Sequence, residues 1–264
     1  MKITMMTFNL RTSRAQDGGN AWHLRSGQAA EMVRQHNPLF FGTQEAQPDM
    51  LDDLQSLTEY RWIGEGRMGD GQDEHCAIFF KKDELEVLEH NTFWLSEHPE
   101  VPGSISWDSS FPRICTWAHF RHSSTGTELL FFNTHLDHRG QQAREQGIRI
   151  ICERISEQLA AKQLPVILSG DFNSTPDNPV IRLLRGELES QKAPVRMTDA
   201  YSVKDGPLGT SFHTDYCGCT EGEPIDYIFV TPDLQVSAVE IDRRMIDGRY
   251  PSDHYPVVAG LVLA

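Results

Sequence analysis

The chain has 264 residues and carries 24 Lys and Arg against 38 Asp and Glu, which gives a formal net charge of −14. This balance argues against a protein that coats duplex DNA, because such proteins neutralise phosphates with a basic surface and no Lys or Arg run here exceeds two residues. The hydrophobic fraction of 39% is enough for a sizeable core and places the chain far from disordered proteins.

The sequence carries no sign of export or of membrane insertion. The N-terminal segment MKITMMTFNL has neither a long apolar region nor a small-residue cleavage site. No apolar run approaches the ~18 residues that a membrane span requires. The five cysteines are an odd number in a chain too large to depend on disulfides. We therefore expect a cytoplasmic protein in a reducing setting, with no membrane partner and no obligate protein partner.

Seven short runs rich in Ile, Val, Phe and Leu predict mostly buried strands along the whole chain. In chain order they are KITMMTFN, LFFGTQE, CAIFF, ELLFFNTHLD, LPVILSGDFN, DYIFV and YPVVAGLVL. Between some of them the spacing predicts helices over about 24–36, in a segment that begins at Pro48, and from Gln141 to Lys162. Strands and helices are mixed throughout, which is typical of an α/β protein.

No Pro-, Ser- or Gly-rich linker divides the chain, so we expect a single domain over residues 1–264. Two loop-like stretches, 64–75 and 97–113, each lead back into a strand, as loops around an active site do. The runs ITMMTFN and VILSGDFN both end in Phe-Asn. This echo indicates two similar half-sheets stacked face to face.

Polar side chains collect where the apolar runs begin or end. They are Asn9, Glu45, His135, Asp137, Asp171, Asn173, Asp226, Asp253 and His254. Each alone is an ordinary turn former, but rigid strand ends can bring the whole set to one face of a fold. Because Asn, Asp and Glu supply hard oxygen ligands, the set predicts a site for Mg²⁺ or Mn²⁺ and does not suit a closed zinc site.

Six motifs occur in the same order as those of the endonuclease/exonuclease/phosphatase (DNase I-like) superfamily: TFNLR, TQEA, NTHLDHR, GDFNSTP, IDYIF and SDHYPV. The resemblance spans residues 3 to 258. The motif NTHLDHR resembles the corresponding motif of a bacterial-type branch near the CCR4-type deadenylases. The resemblance implies a four-layer α/β sandwich, with two mixed β-sheets packed face to face, helices outside and the site at one end. It also implies a phosphoric ester hydrolase that uses Mg²⁺, with Mn²⁺ as a substitute.

The resemblance implies which residues of this chain bind the metal ion, because the family's metal ligands occupy matching motif positions. Glu45 resembles the principal ligand, assisted by Asn9, and Asp253 resembles a further ligand. Asp137 is either another ligand or a partner that orients its neighbours, and we favour the second role. These side chains supply oxygen atoms, in agreement with a hard divalent cation.

The reacting groups follow from the same resemblance. His254 resembles the family's catalytic histidine, and Asp226 resembles the carboxylate that hydrogen-bonds it and fixes its tautomer. Asp171 and Asn173 resemble the pair that positions the attacking water and the scissile phosphate, and His135 resembles a phosphate-contacting histidine. Hydrolysis needs a base that takes a proton from water. We favour Asp171 as this base, and His254 activated by Asp226 is the alternative. The sequence does not separate the two, because protonation depends on burial and on the metal.

Three further residues are candidates for substrate contact. Arg113 and Arg139 lie near the site motifs, where a planar guanidinium can grip a phosphate. Each could instead form an ion pair on an acidic surface. Trp107 is the Trp best placed for stacking on a base or a sugar.

We expect a Mg²⁺-dependent hydrolase that cleaves a phosphodiester or a phosphomonoester by in-line attack of water activated by metal and base. The acidic surplus favours a small molecule or a single-stranded nucleic acid as the substrate. The alternative is a 3′–5′ exoribonuclease of the deadenylase type or another nuclease acting on single strands, and a remote alternative is a non-catalytic binding protein. The group His213, Cys217 and Cys219 lacks four clearly spaced zinc ligands, and we expect its loop to shape specificity.

Overall fold

Twelve strands form two six-stranded sheets in a computed structural model, which describes residues 1–188 and 195–263. The first sheet contains, in chain order, β1 (Lys2–Asn9), β2 (Phe40–Gln44), β3 (Tyr60–Ile63), β4 (Ile78–Lys81), β11 (Leu234–Ile241) and β12 (Val257–Leu263). The second contains β5 (Leu85–Trp94), β6 (Ile114–His122), β7 (Glu128–His135), β8 (Val166–Asp171), β9 (Thr198–Asp199) and β10 (Asp226–Val230). The α-helices of the described ranges are α1 (Ser26–His36), α2 (Pro48–Leu54), α3 (Gln141–Ala161) and α4 (Pro179–Leu184).

The two sheets share one connection pattern. Their strand orders are β11-β12-β1-β2-β4-β3 and β5-β6-β7-β8-β10-β9. In the first sheet β1 and β2 are parallel neighbours connected through α1, and β4 pairs antiparallel with β2. In the second, β7 and β8 are parallel neighbours connected through α3, and β10 pairs antiparallel with β8. The Phe-Asn echo links β1 with β8, which are not equivalent strands, although the two stacked half-sheets are present.

Aromatic side chains fill the space between the sheets. The ring centroid of Phe40 in β2 lies 5.0 Å from that of Phe131 in β7 and 6.0 Å from that of Phe120 in β6. Successive residues of a strand face opposite ways, so Phe41 turns to the other face and packs in a cluster with residues of α1 and α2. Ile151 of α3 is fully buried against the second sheet. The layers are therefore helix, sheet, sheet and helix, as the DNase I-like resemblance implies.

The apolar runs do not predict β3, β5, β6, β9 and β11. Of these, β5 and β11 are edge strands in which exposed polar residues interrupt the buried ones, so neither carries a long apolar run. The predicted helix over 24–36 begins at Ser26, after a 3₁₀ turn over Trp22–Leu24, and the long helix ends at Ala161. Within the described ranges, no helix is both long enough and apolar enough to span a bilayer.

A polar bridge crosses the core close to the ends of β2 and β7. Asn133 donates from Nδ2 to the main-chain oxygens of Thr43, at 2.9 Å, and Ala77, at 3.0 Å. Its Oδ1 accepts from Nε2 of Gln44 at 2.7 Å. Gly42 leaves room for this amide, because a Cβ there would lie 2.4 Å from Asn133 Oδ1. The bridge fixes the two sheets relative to each other beneath the polar strand ends.

Candidate active site

The carboxyl ends of both parallel strand pairs meet at one end of the sandwich. Asn9 ends β1, Glu45 follows β2, His135 ends β7 and Asp171 ends β8. The last three line a cavity of about 320 Å³. Four more of the predicted site residues also line it, namely Arg113, Asn173, Asp253 and His254.

Asn9 joins two of the predicted carboxylates. Its Nδ2 donates to Glu45 Oε1 and to Asp171 Oδ2, both at 3.0 Å. Its Oδ1 accepts from the main-chain N of Arg11 at 2.9 Å, and Glu45 Oε2 accepts from the main-chain N of Thr12 at 2.9 Å. The loop after β1 therefore orients both side chains. Arg11 and Glu45 adopt positive φ angles of 53° and 59°, a backbone strain that clusters at functional sites.

Asp171 lies at the bottom of the cavity with 1% of its surface exposed. Its Oδ1 accepts from the main-chain N of Asn173 at 2.8 Å. Its Oδ2 lies 3.5 Å from His135 Nε2 and 3.8 Å from His254 Nε2. Burial, and then the negative charge of Asp226, raise the pKa of Asp171. A carboxylate with a raised pKa is suited to take a proton near neutral pH.

Asp226 and His254 form a buried ion pair next to Asp171. Oδ2 of Asp226 accepts from His254 Nδ1 at 2.9 Å and from the Ser211 hydroxyl at 2.6 Å. Burial lowers the pKa of His254, but the Asp226 carboxylate outweighs burial and raises this pKa to about 10. His254 is therefore positively charged at neutral pH, and its Nε2 is left for the cavity.

His135 faces the same cavity as a neutral ring. Burial, and then the positive charge of Arg113, lower its pKa well below the usual value. Nδ2 of Asn173 lies 3.0 Å from His135 Nε2 and 3.0 Å from the main-chain oxygen of Leu136, so the amide donates to both. A phosphate contact through Nε2 requires a proton on that atom, which a phosphate anion favours by its charge.

Asp137 holds Arg113 at the cavity wall. Asp137 Oδ2 accepts from Arg113 Nε at 3.3 Å, and Arg113 Nη2 lies 3.1 Å from His138 Nδ1. Burial raises the pKa of Asp137, but main-chain N–H groups, of which Gly140 contributes the strongest, lower it to about 2. Asp137 is therefore ionised and orients its neighbours, and it is not among the described residues that line the cavity.

Two of the predicted substrate contacts lie away from the cavity. Of the described residues that line it, none is Arg139 or Trp107. Arg139 is exposed and lies in the turn after β7, where its main-chain N donates to Asp137. Trp107 is half-buried in the loop over 97–113, at a φ of 55°. The aromatic residue that this loop places at the cavity is Phe111.

The oxygen ligands predicted for a divalent cation share one side of the cavity. Glu45 and Asp253 both line it, and burial, with a contribution from the Glu45 carboxylate, raises the pKa of Asp253. Two carboxylates that face one enclosed space repel each other, and a hard cation relieves that repulsion. Asn9 can add an oxygen if its amide is turned, since the two amide atoms are assigned from the hydrogen-bond network. The residues present therefore fit such an ion.

A second acidic cluster lies beside these ligands. Ligand atoms of Asp171, Asp226 and His254 lie within 4.8 Å of one another, and all three residues are buried. His254 Nδ1 is engaged by Asp226, and the pKa of His254, raised to about 10, keeps a proton on Nε2 as well, so the trio is a hydrogen-bonded cluster that offers carboxylate oxygens to an ion. The other oxygen of Asp226, Oδ1, is buried without a hydrogen-bond partner in the described part of the chain.

Several residues that shape the cavity are not identified by the sequence motifs. Arg67, Glu74 and Phe111 line it from the two loop-like stretches, 64–75 and 97–113, that the sequence predicts to lie around an active site, but no motif marks these three residues. Arg25 is fully buried and ties the loop after β1 to the loop before β12, because it donates to the main-chain oxygens of Leu10, Arg11 and Pro251. A buried arginine has no sequence signature that separates it from a surface one.

His213 and its two cysteines form no metal site. Cys217 and Cys219 are joined by a disulfide. His213 Nε2 lies 3.0 Å from the main-chain oxygen of Ser252, and its Nδ1 accepts from the main-chain N of Gly218 at 3.1 Å. Both ring nitrogens are thus engaged, and the ring connects this loop to the segment that carries His254. The odd cysteine count reflects this bridge and three free, buried thiols, Cys76, Cys115 and Cys152.

Curated proteins similar to the chain include two from eukaryotes. Nocturnin of Drosophila melanogaster is 30% identical over 220 residues, which is 71% of this chain and 32% of that protein. The CCR4-Not complex 3′-5′-exoribonuclease subunit Ccr4 of Debaryomyces hansenii is 26% identical over 224 residues, which is 69% of this chain and 27% of that protein. The chain therefore spans a third or less of the length of these relatives.

Solved structures match over nearly the whole chain. An endonuclease/exonuclease/phosphatase family protein from Bacteroides thetaiotaomicron is 34% identical with a TM-score of 0.91, covering 100% of this chain and 96% of that one. A mannosyl-6-phosphatase from Bacteroides thetaiotaomicron VPI-5482 is 35% identical with a TM-score of 0.90, covering 99% and 100%. The human Nocturnin catalytic domain shares the fold, with 17% identity and a TM-score of 0.76. That match covers 100% of this chain and 95% of the Nocturnin chain.

The family assignment rests on sequence and on the site together. The profile of the endonuclease/exonuclease/phosphatase family matches residues 6–254 of the chain. Those residues include the ends of the strands that border the cavity. The similar proteins named above include an exoribonuclease and a phosphatase, both of which hydrolyse phosphoric esters. The chain belongs to the endonuclease/exonuclease/phosphatase family.

Proposed function

We propose that the protein is a Mg²⁺-dependent hydrolase of small phosphomonoesters, in which water attacks phosphorus in line with the leaving group. The observation that carries the proposal is the arrangement of Asp171, His254 and Arg113 around one cavity of about 320 Å³. A carboxylate with a raised pKa, a fixed imidazolium and a guanidinium supply the base and the positive charge that hydrolysis of an anionic ester requires.

Asp171 is the proposed base. Its carboxylate is held by Asn9 and by the main-chain N of Asn173, and its raised pKa suits it to accept a proton from water. His254 already carries a proton on each ring nitrogen, because Asp226 raises its pKa to about 10. For this reason we assign the role of base to Asp171 rather than to His254. We assign to His254 the stabilisation of negative charge on the phosphate oxygens.

The remaining positive charge comes from Arg113 and from the metal ion. Arg113, oriented by Asp137, presents its planar guanidinium to the phosphate. A bound Mg²⁺, for which Mn²⁺ could substitute, would be held by Glu45 and Asp253 with help from Asn9 and would neutralise charge on the phosphate and on the leaving oxygen. Asn173 lines the same cavity, and its Nδ2 donates to His135 Nε2 and to the main-chain oxygen of Leu136, so we assign to it the positioning of the His135 ring beside the phosphate.

A small phosphomonoester is favoured by the size of the cavity and by the charge of the chain. A net charge of −14 opposes the approach of a long polyanion, whereas a small ester places only its phosphate among the arginines. The mannosyl-6-phosphatase, similar to this chain over 99% of its length, supports hydrolysis of a monoester.

A 3′–5′ exoribonuclease is the second candidate function. The observation that favours it is the sequence similarity to the exoribonuclease subunit Ccr4 over 69% of this chain. Such an enzyme needs only the 3′ end of one strand in the cavity, so few contacts to the nucleic-acid backbone are required. This function uses the same base and the same metal ligands, and differs in what the outer part of the cavity binds.

A substrate panel tests both candidates. The substrates are hexose 6-phosphates, p-nitrophenyl phosphate, bis-p-nitrophenyl phosphate and oligoadenylate, each with Mg²⁺, with Mn²⁺ and with EDTA. We expect the monoesters to exceed the diesters in kcat/KM by about tenfold or more, and EDTA to abolish turnover. Preferred shortening of oligoadenylate establishes the second candidate instead, and full turnover in EDTA contradicts the metal dependence.

A further inference from the structure

A narrow crevice opens from the cavity on the side of the loop before β4. It shares five residues with the cavity, and the described residues that line it include neither Asp171 nor His254. The shared residues are Glu45, Arg67, Glu74, Arg113 and His135. Its volume is about 10 Å³, which is enough for one water molecule or one hydroxyl group. The crevice therefore lies beside the reacting groups and has the size of a single substituent of a substrate.

Glu74 and Arg67 form the polar wall of this crevice. Arg67 Nη1 lies 2.7 Å from Glu74 Oε2, and Arg67 Nε lies 3.3 Å from Asp73 Oδ2. The side chains of Arg67 and Glu74 are mostly buried, with 11% and 17% exposed. The contact with Arg67 Nη1 uses one oxygen of Glu74, and Arg67 Nε is buried beside Asp73 without a hydrogen-bond partner in the described part of the chain. Glu74 Oε1 and Arg67 Nη2 are left for a ligand. An acceptor next to a donor matches a hydroxyl group, which both donates and accepts.

The pair suits a hydroxyl group better than an ion. A phosphate would meet the carboxylate of Glu74 here, and a cation would meet the guanidinium of Arg67, whereas a neutral hydroxyl group meets no like charge at either partner. A neutral polar group gains charge-assisted hydrogen bonds from both partners without losing a large solvation energy.

The wall is formed before any ligand binds. The main-chain N of Arg67 donates to the oxygen of Glu74 at 3.0 Å, and the main-chain N of His75 donates to the oxygen of Ala46 at 2.8 Å. The indole Nε1 of Trp94 donates to the main-chain oxygen of Arg67 at 2.7 Å. The loop is thereby joined to the residue that follows Glu45. A preformed wall loses little conformational entropy when a ligand binds.

Phe111 supplies an apolar surface next to the pair. The guanidinium carbon of Arg67 lies 4.7 Å from the centroid of the Phe111 ring, and this ring is 45% exposed and lines the cavity. The ring of His138 stacks on Phe111 with centroids 6.0 Å apart. An apolar surface beside a hydroxyl-binding pair matches a sugar, which carries hydroxyl groups on an apolar carbon ring.

We propose that Glu74 and Arg67 bind one hydroxyl group of the leaving group, and that the substrates are phosphates of polyhydroxylated molecules of the sugar class. This inference rests on the proposed phosphomonoesterase function and adds the residues that choose among its substrates. Glu74 and Arg67 act on the part of the substrate that does not react, so they determine specificity through contacts outside the phosphate.

The test compares hexose 6-phosphates with analogues that each lack one hydroxyl group. In the wild-type protein we expect one monodeoxy analogue to lose about 30-fold or more in kcat/KM. The missing hydroxyl group leaves Glu74 Oε1 and Arg67 Nη2 without a partner. In Glu74→Gln the charged acceptor is absent, so we expect that penalty to shrink by about fivefold or more. The KM for the parent hexose 6-phosphate should rise more than its kcat falls.

Glu65→Gln is the matched control for this loop. Glu65 Oε1 accepts from the main-chain N of Gly66 at 2.9 Å and of Gly71 at 2.8 Å, and Glu65 is not among the described residues that line the cavity. We expect this variant to keep the full penalty for the deoxy analogue. If Glu65→Gln reduces the penalty as much as Glu74→Gln does, the loop acts through its fold and the proposal is wrong.

The wild-type measurement does not depend on the folding of any variant. If the wild-type protein hydrolyses p-nitrophenyl phosphate and no monodeoxy analogue differs from its parent by more than about threefold, the inference fails and the phosphomonoesterase function stands. If no phosphomonoester is hydrolysed in the presence of Mg²⁺, the proposed function itself fails, and the inference fails with it.

Discussion

The charge of one residue, His254, depends most on the buried carboxylate of Asp226. Burial lowers the pKa of His254, but Asp226, with smaller contributions from Asp171 and Asp253, raises it to about 10. In Asp226→Asn the largest of these opposing effects is absent, so we expect the pKa of His254 to fall, as measured by NMR titration of the imidazole. Because the imidazolium then no longer stabilises the phosphate oxygens at neutral pH, kcat should fall about 100-fold or more.

A second His–Asp pair provides the control. His36 Nε2 lies 2.8 Å from Asp242 Oδ2, and neither residue is among the described residues that line the cavity. Asp242→Asn makes the same chemical change at this remote pair and should leave kcat within about twofold of the wild type. An equal loss of kcat in Asp226→Asn and Asp242→Asn would contradict the role given to His254.

The Asp226–His254 pair also makes stability depend on pH. The folded-state pKa of about 10 lies above the ordinary value of 6.5, so the stabilisation is complete below pH 6.5 and is lost as the pH rises through 10. Urea denaturation in EDTA should therefore show the free energy of unfolding of the wild type falling across this window. Asp226→Asn should show a smaller fall, and a parallel fall in both proteins would contradict the assigned charge.

The guanidinium of Arg113 has a geometric role that charge alone does not fill. Arg113→Lys keeps a positive charge but loses the planar fork that Asp137 orients, so kcat/KM for a phosphomonoester should fall about tenfold or more. Arg139→Lys is the same change at an exposed position outside the cavity and should stay within about twofold. Steady-state kinetics separate the two, and equal losses would show that Arg139 also reaches the substrate.

At the scale of elements, the position of Gly42 in β2 decides how closely the two sheets approach. Gly42→Ala places a Cβ 2.4 Å from Asn133 Oδ1, in the amide bridge that joins β2 to β7. We expect the free energy of unfolding to fall by about 1–3 kcal/mol, measured by urea denaturation. Gly27→Ala in α1 is the control, because nothing lies within 4 Å of its added Cβ. That variant should change stability by less than about 1 kcal/mol, in the stabilising direction.

The elements also explain which site residues the sequence reveals. Asn9, Glu45 and Asp171 are found because a buried strand and the polar residue at its end are both local signals. Arg67 and Glu74 are not found in this way, because their position depends on the folding of a loop back onto the end of β2. Edge strands such as β5 are not predicted from the sequence for a related reason, since their solvent-facing residues interrupt the apolar run.

At the scale of the whole molecule, a strongly acidic chain concentrates cationic side chains at one cavity. The net charge is −14, yet the cavity is lined by as many cationic as anionic groups. The cationic groups are Arg11, Arg67, Arg113 and the ring of His254, and the carboxylates are those of Glu45, Glu74, Asp171 and Asp253. Composition therefore predicts the exclusion of long polyanions but not the balance of charge at the site. The two sheets also share one connection pattern, which is visible in the order of their strands. The shared Phe-Asn ending of β1 and β8 does not reveal that pattern, because these two strands are not equivalent.

The most direct test of the proposed chemistry measures phosphate release and Mg²⁺ binding in the same Asp171→Asn protein. If Asp171 takes the proton from water while Glu45 and Asp253 hold the ion, kcat should fall about 10²–10⁴-fold. The Kd for Mg²⁺, measured by calorimetry, should stay within about threefold of the wild type, whereas Glu45→Gln should weaken it about tenfold or more. A kcat of Asp171→Asn within about threefold of the wild type would contradict the account.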